Sequence, residues 1–295
     1  MSDYSEKSMR ALQLAGLSEK TQEAYTRAVT QLVKFHDKQP DKIFEEDVED
    51  YFLHCTNDLK WAKATLRVSH YGIRFYFQKV LKRDYHLFSY LKAGTERKLP
   101  CILSREEVTQ ILHHVTTHHN YAFFHLVYSC GLRLSEGVNI QISDIDKTRM
   151  MIHVHRGKGA KDRYVPLPEE TLHVLRNFWV THRNPTFIFP ARGRGNNEAS
   201  TTDKPMPVST PQGVFRKARY AAGIKKRRVT VHTLRHCYAT HLLEAGVNPR
   251  AVQVYMGHKS LETTMAYFHL THKGSEKANQ IINQVMKGVG YEQNH

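Results

Sequence analysis

Six side chains between residues 131 and 267 have types and spacings suited to chemistry on a phosphate diester. His232 and Arg235 are three apart in a stretch that reads as a helix, 232–245, so both project from one face of its first turn. That turn carries unpaired N–H groups and the positive end of the helix dipole, a good place for a phosphate. Gly246 suits the position that ends this helix. The next helix is bracketed by Asn248-Pro249 at its start and Gly257 past its end. His258 follows at once in the turn. Ser260 can cap the helix after it, and Tyr267 lies about two turns into that helix. His258 and Tyr267 converge if the two helices fold back on each other. Upstream, Gly131-Leu132-Arg133-Leu134-Ser135-Glu136 breaks a helix and places Arg133 just past its end. Lys158 lies at the tip of a hairpin.

Together these groups could run a phosphoryl transfer. Two arginines offer planar forks that match the non-bridging oxygens of a phosphate. They count most as negative charge builds at phosphorus. A tyrosine hydroxyl, with a pKa near ~10, needs help to attack at neutral pH. A neighbouring histidine can take its proton. A leaving 5′ oxygen needs a proton, which a lysine can deliver. In-line transfer needs no metal if cations supply the charge.

Taken singly, each residue has a plainer reading. Tyr267 alone would be half-buried packing, Arg133 a cation at a helix end, and His232 a surface residue. Lys161 competes with Lys158, whose place between Gly157 and Gly159 favours it. His113, His114, His118 and His119 lack a partner at metal-ligand spacing and read as surface residues. His232, His236 and His241 do not form H-E-x-x-H, and the latter two read as packing or phosphate-side neighbours. The expectation is therefore no metal site and no cofactor.

The elements that must position these groups fall into two domains. Residues 1–98 read as helical. Gly16-Leu17-Ser18-Glu19 makes a turn and an N-cap, followed by Tyr25, Val29, Leu32, Val33 and Phe35 at roughly helical spacing. Asp41 to Asp50 opens a second helix with Val48, Phe52 and Leu53 inward, and Lys60 to Arg83 forms a third. Ala93 to Pro100 reads as a linker, and Ser104-Arg105-Glu106-Glu107 as a capping box. Residues 99–295 are mixed, with helices over 104–116, 119–130, 168–179, 210–222, 232–245, 249–256, 261–270 and 275–287. Met150 to Val154 and Arg163 to Leu167 have β character, joined by a turn. Residues 191–207 read as a mobile loop. The fold class is mainly α with a small β-sheet (α+β).

Composition bounds the partners. Of 43 basic and 28 acidic residues, 17 and 14 fall in residues 1–98 and 26 and 14 in residues 99–295, so the excess sits in the second domain. Such a surplus repels itself unless a polyanion neutralises it, and DNA is the usual one. No apolar run approaches the roughly 18 residues of a membrane span, and the polar start is not a secretory signal, which reads as a cytoplasmic protein. Cys55, Cys101, Cys130 and Cys237 are scattered and read as reduced thiols.

The sequence resembles the tyrosine recombinases, or phage-type integrases, across most of its length. The matching strings are Gly131-Leu132-Arg133-Leu134-Ser135-Glu136, Gly157-Lys158-Gly159, His232-Thr233-Leu234-Arg235-His236 with Ala239-Thr240-His241-Leu242-Leu243, Met256-Gly257-His258-Lys259-Ser260, and Thr263-Thr264-Met265-Ala266-Tyr267. Any one string is weak; all of them in order are specific. The architecture is similar to Xer recombinases and compact integrases. Gly137-Val138, Lys259 and Phe268-His269 depart from common family choices without touching the six positions.

The resemblance implies a helical core-binding (SAM-like) DNA-binding domain over 1–98 and a catalytic domain with a C-terminal helix over 99–295. It implies that Arg133 and Arg235 clamp the scissile phosphate and that Tyr267 attacks it to give a 3′-phosphotyrosine. Lys158 would protonate the 5′ oxygen, His232 would act as general acid/base, and His258 would hydrogen-bond the phosphate. Glu136 would pair with site cations or with His232. The bond energy stays in the phosphotyrosine, so religation needs neither ATP nor metal. The implied function is site-specific recombination of double-stranded DNA at the nucleoid, by a tetramer assembled through the C-terminal helix. The alternatives are type IB topoisomerase-like relaxation, a non-enzymatic DNA-binding regulator and a metal-dependent nuclease.

Overall fold

The computed structural model describes residues 3–91, 100–155, 162–193, 198–268 and 284. The chain divides into two compact units, Met1–Lys98 and Leu99–His295. It is mainly helical with one small sheet.

The first unit holds α1 (Asp3–Leu14), α2 (Glu19–His36), α3 (Glu45–Asn57), α4 (Lys63–Phe75) and the short α5 (Leu87–Tyr90). Its core is built from Val29, Leu32, Val48, Phe52, Ile73 and Phe77. Gly72 lets α4 approach α2, since a Cβ there would lie 2.9 Å from the Cα of Tyr25. The chain is helical before residue 18, in keeping with the helical reading of 1–98, and α1 buries Ser8 and Leu12. Two details depart from the sequence reading. Leu53 is 50% exposed, because one step past inward Phe52 turns a helix by about 100°. The expected helix from Lys60 to Arg83 starts only at Lys63, past the left-handed Lys60, and widens to a π turn at Tyr76–Val80. That turn buries Tyr76 and Phe77.

The second unit begins with α6 (Arg105–His113), α7 (His118–Cys130) and the one-turn α8 (Leu134–Val138). The expected capping box closes α6: Glu107 N–H donates to Ser104 Oγ at 3.2 Å, and Ser104 N–H donates to Glu107 Oε2 at 2.8 Å. A three-stranded antiparallel sheet follows, in the order β1 (Ile145–Asp146), β2 (Met151–Val154), β3 (Arg163–Pro166). The strand β1 was not anticipated; its two residues are too few for a period-2 pattern to register. Then come α9 (Glu169–Trp179), α10 (Ser209–Ala221), α11 (Val231–Glu244), α12 (Pro249–Met256) and α13 (Leu261–Phe268). Where residues 191–207 are described they are tied down, contrary to the loose loop their composition suggested. Ala199 and Met206 are buried, and Asn184 Nδ2 donates to the carbonyls of Ala199 and Thr202.

The helix that organises this unit is α11. Val231, Leu234, Arg235, Cys237, Tyr238, Ala239 and Thr240 are all buried, so it is enclosed on nearly every side. It contacts α7, α10, α12 and α13. The four cysteines are free thiols. Among the described residues, no helix is long and apolar enough to cross a membrane. Apart from residue 284, the expected C-terminal helix over 275–287 lies outside the described residues, as does the hairpin tip with Lys158.

Candidate active site

The site is assembled around Arg235, one turn into α11 and only 2% exposed. Its guanidinium donates to the carbonyl of Gly131 at 2.5 Å and to the carbonyl of Met256. Both acceptors sit where helices end, at the last turns of α7 and α12, whose carbonyls have no partner within their own helix. Gly131 and Gly257 make these ends possible by taking left-handed conformations, each with φ +60°. Burial, and then repulsion from Arg133, lower the Arg235 pKa to about 9, so it remains a cation at neutral pH.

Arg133 stands at the N-cap of α8, and Glu136 at its third position. The Glu136 carboxylate accepts from Arg133 N–H at 2.8 Å and from the Arg133 guanidinium at 2.6 Å. It also receives a two-pronged pair from Arg163, at 3.0 and 2.7 Å. Arg235 Nη1 lies 3.9 Å away. One carboxylate thus sits among three guanidinium groups, which leaves an excess of two positive charges. Burial opposes the charge on Glu136, yet the hydrogen bonds and charge of Arg163, with those of Arg133, hold its pKa at about 2. The side chain of Arg133 is 21% exposed, the most open of the three guanidiniums.

Tyr267, on α13, is 6% exposed. Its hydroxyl lies 2.7 Å from Nδ1 of His236, the residue after Arg235. Its ring stacks on that of His258, centroids 6.0 Å apart and planes inclined by 13°. Burial raises the phenol pKa, while Arg235 and Arg133 act to lower it. Burial brings His236 and His258 down to about 4, helped by neighbouring cationic and histidine side chains. Both rings are therefore neutral at neutral pH, and the Tyr267 hydroxyl shares with His236 Nδ1 a hydrogen bond whose direction follows the imidazole tautomer. His258 Nδ1 lies 2.8 Å from the buried hydroxyl of Thr264, and the His258 carbonyl accepts from Gln253 Nε2 at 3.1 Å. His232 packs edge-on against His236, centroids 4.6 Å apart. Desolvation, then Arg235 and Arg133, lower the His232 pKa.

Arg133, Glu136, Arg235, His258 and Tyr267 are thus brought into one connected cluster, with His232 joined to it through His236. Glu136 pairs with the arginines. Two further members were not singled out from the sequence. Arg163 was invisible because its partner is 27 residues away, although its strand held a clue. On β3 it alternates with Val165 on the inward face, and an arginine on an apolar face needs a buried carboxylate. His236 read as a packing or phosphate-side neighbour, and only the return of α13 onto α11 gives it the phenol.

The comparisons with known proteins fit this geometry. Residues 102–273 match the Phage integrase family, and residues 5–87 match the Phage integrase N-terminal SAM-like domain. The chain belongs to the phage integrase family. Tyrosine recombinase XerD of Oceanobacillus iheyensis is 32% identical over 275 residues, 87% of this chain and 89% of that one. An integrase/recombinase of Escherichia coli is 30% identical over 290 residues, 86% of each chain. The fold is also that of a lambda integrase dimer bound to a COC′ core site, with TM-score 0.70 and 17% identity, covering 88% of this chain and 94% of that one. As a phage integrase family member the chain is a tyrosine recombinase, an enzyme of site-specific DNA recombination. A family match in both units favours this over topoisomerase-like relaxation.

Proposed function

We propose that Tyr267 is the nucleophile and that Arg133 and Arg235 hold the scissile phosphate. The supporting observation is the placement of the Tyr267 hydroxyl on His236, next in sequence to Arg235, in a cluster whose guanidiniums outnumber its carboxylate. The phenolic oxygen forms a bond to phosphorus as the bond to the 5′ oxygen breaks, leaving a 3′-phosphotyrosine. Lys158 gives the leaving oxygen its proton. His232 acts as general acid/base, and His258 donates a hydrogen bond to the phosphate. His236, neutral and already bonded to the phenol, is the first acceptor available for its proton. Glu136 and Arg163 position Arg133. Religation by a 5′ hydroxyl reverses the step without ATP or metal.

The DNA is bound by both units, the helical first unit serving as core-binding domain, and protomers associate on it as they do in the lambda integrase tetramer bound to a Holliday junction. The segment after Gly274 docks on the neighbouring protomer. The deciding experiment uses a nicked suicide duplex. Wild-type protein should give a covalent adduct in EDTA, and Tyr267→Phe should give none while still binding DNA. An adduct in the Phe variant overturns the assignment. Truncation after Gly274 should spare DNA binding and reduce coordinated strand exchange; full recombination by the truncated protein rules out the docking role.

A further inference from the structure

On the sheet, a second cluster of chemically capable side chains lies apart from the reacting tyrosine. His153 and His155 are two apart on and just past β2, so they share one face. Asp162 and Tyr164 stand across from them, beside the registered pairs His153↔Tyr164 and Val154↔Arg163. The opposite face carries Ile152, Val154, Arg163 and Val165, all buried. The histidines therefore face outward, and Arg163 faces the recombination site. From the turn before β1, Asp144 joins them: it is 4% exposed, and its Oδ1 lies 2.6 Å from His155 Nε2.

We propose that Asp144, His153 and His155 form a binding site for a divalent transition-metal ion of the zinc class. One ligand atom from each lies within 4.8 Å of the other two. A zinc shell places such atoms roughly 3.3 Å apart, from metal–ligand bonds near ~2.0–2.2 Å, so side-chain adjustments of about an ångström complete it. Two imidazoles with carboxylate select zinc or a similar borderline ion over calcium or magnesium, which take oxygen. The two imidazole ring centroids are only 3.9 Å apart, so one ion can lie within reach of both. The ligands are also held from behind. Asp144 Oδ2 accepts from Gln141 N–H at 2.8 Å, and Tyr164 stacks on His153 at 4.7 Å. A water would complete the four-coordinate shell, and Asp162 Oδ2, 3.2 Å from His153 Nε2, adds a second carboxylate nearby to balance the ion's charge. The ion takes no part in strand cleavage. It ties the turn holding Asp144 to the two strands that carry Arg163 on their other face.

The test is a Co2+ titration of the full-length, metal-stripped protein. Wild type should show the strong visible absorption of tetrahedral Co2+, saturating at one ion per chain and bleached by one equivalent of Zn2+. His153→Ala and His155→Ala should each weaken binding at least about tenfold. Asp144→Asn keeps the size of the side chain and should also weaken it. His113→Ala/His118→Ala, which removes two surface histidines elsewhere, should bind like wild type. Zn2+ should raise the melting temperature of wild type and leave both single histidine variants unmoved. Far-UV circular dichroism in EDTA checks that every variant is folded. Absence of a tetrahedral spectrum in wild type, its persistence in the His153 and His155 variants, or its loss in the His113/His118 variant overturns the proposal.

Discussion

The hydroxyl of Tyr267 is hydrogen-bonded to Nδ1 of His236 across 2.7 Å, so the phenol is held by the residue next to the buried Arg235. Because burial keeps the His236 pKa at about 4, the ring stands ready as an acceptor at neutral pH. His236→Ala should lower single-turnover cleavage about 10²-fold, the low end for losing a positioned base, with DNA affinity little changed. His236→Gln, which keeps an acceptor in reach, should restore positioning without proton transfer and fall between the two. Equal cleavage by wild type and the Ala variant would remove His236 from the reaction.

Glu136 gives a prediction about acid. Its pKa falls from an ordinary 4.5 to about 2 in the fold, so the folded protein holds the proton less well than the unfolded chain does. The resulting stability, roughly 3 kcal/mol, is fully present above pH 4.5 and is lost as pH falls through 2. Glu136→Gln leaves three guanidiniums facing a neutral amide and should cost ~3–5 kcal/mol at pH 7. The gap between variant and wild type should shrink between pH 4.5 and 2, as denaturant unfolding at several pH values will show. A gap that does not vary with pH would mean the carboxylate charge is not what the site uses.

The histidines act in a higher window. His236 and His258 have pKa values near 4 in the fold against an ordinary 6.5. Between those values the unfolded chain binds more protons, so stability declines as pH falls from 6.5 toward 4. Resolved imidazole NMR signals of the free protein should show these two rings unprotonated at pH 5.5. A ring that titrates near 6.5 would contradict the burial described for it.

Much of this could be read from the sequence because it is local. Asn248-Pro249, Gly257 and the Ser104–Glu107 box mark helix ends through short-range geometry, and the structure places those ends where they were expected. The strings that resemble the family named Arg133, Lys158, His232, Arg235, His258 and Tyr267 in order, and the described members of that set lie together in the second unit. What stayed hidden depends on distant partners. Arg163 takes its meaning from Glu136, His236 from Tyr267, and His155 from Asp144. The π turn after Phe75 and the exposure of Leu53 are set by how helices pack, which periodicity alone does not determine.

Gly131 joins backbone geometry to the site, and its replacement should separate two costs. Its φ of +60° is left-handed, which disfavours a side chain by ~1–2 kcal/mol. A Cβ there would also lie 2.3 Å from Cδ1 of the Tyr238 ring, which is itself buried. The carbonyl of the same residue accepts from Arg235, so any shift of this backbone moves the guanidinium. Gly131→Ala should therefore lower the melting temperature by about 4 °C or more and reduce adduct formation more than DNA binding. Asn tolerates the left-handed region but still carries a Cβ. Gly131→Asn should recover part of the backbone cost and none of the clash. If Asn restores full stability, the conformation alone requires the glycine. If Asn is as damaging as Ala, contact with Tyr238 dominates, and a smaller residue at position 238 should relieve it.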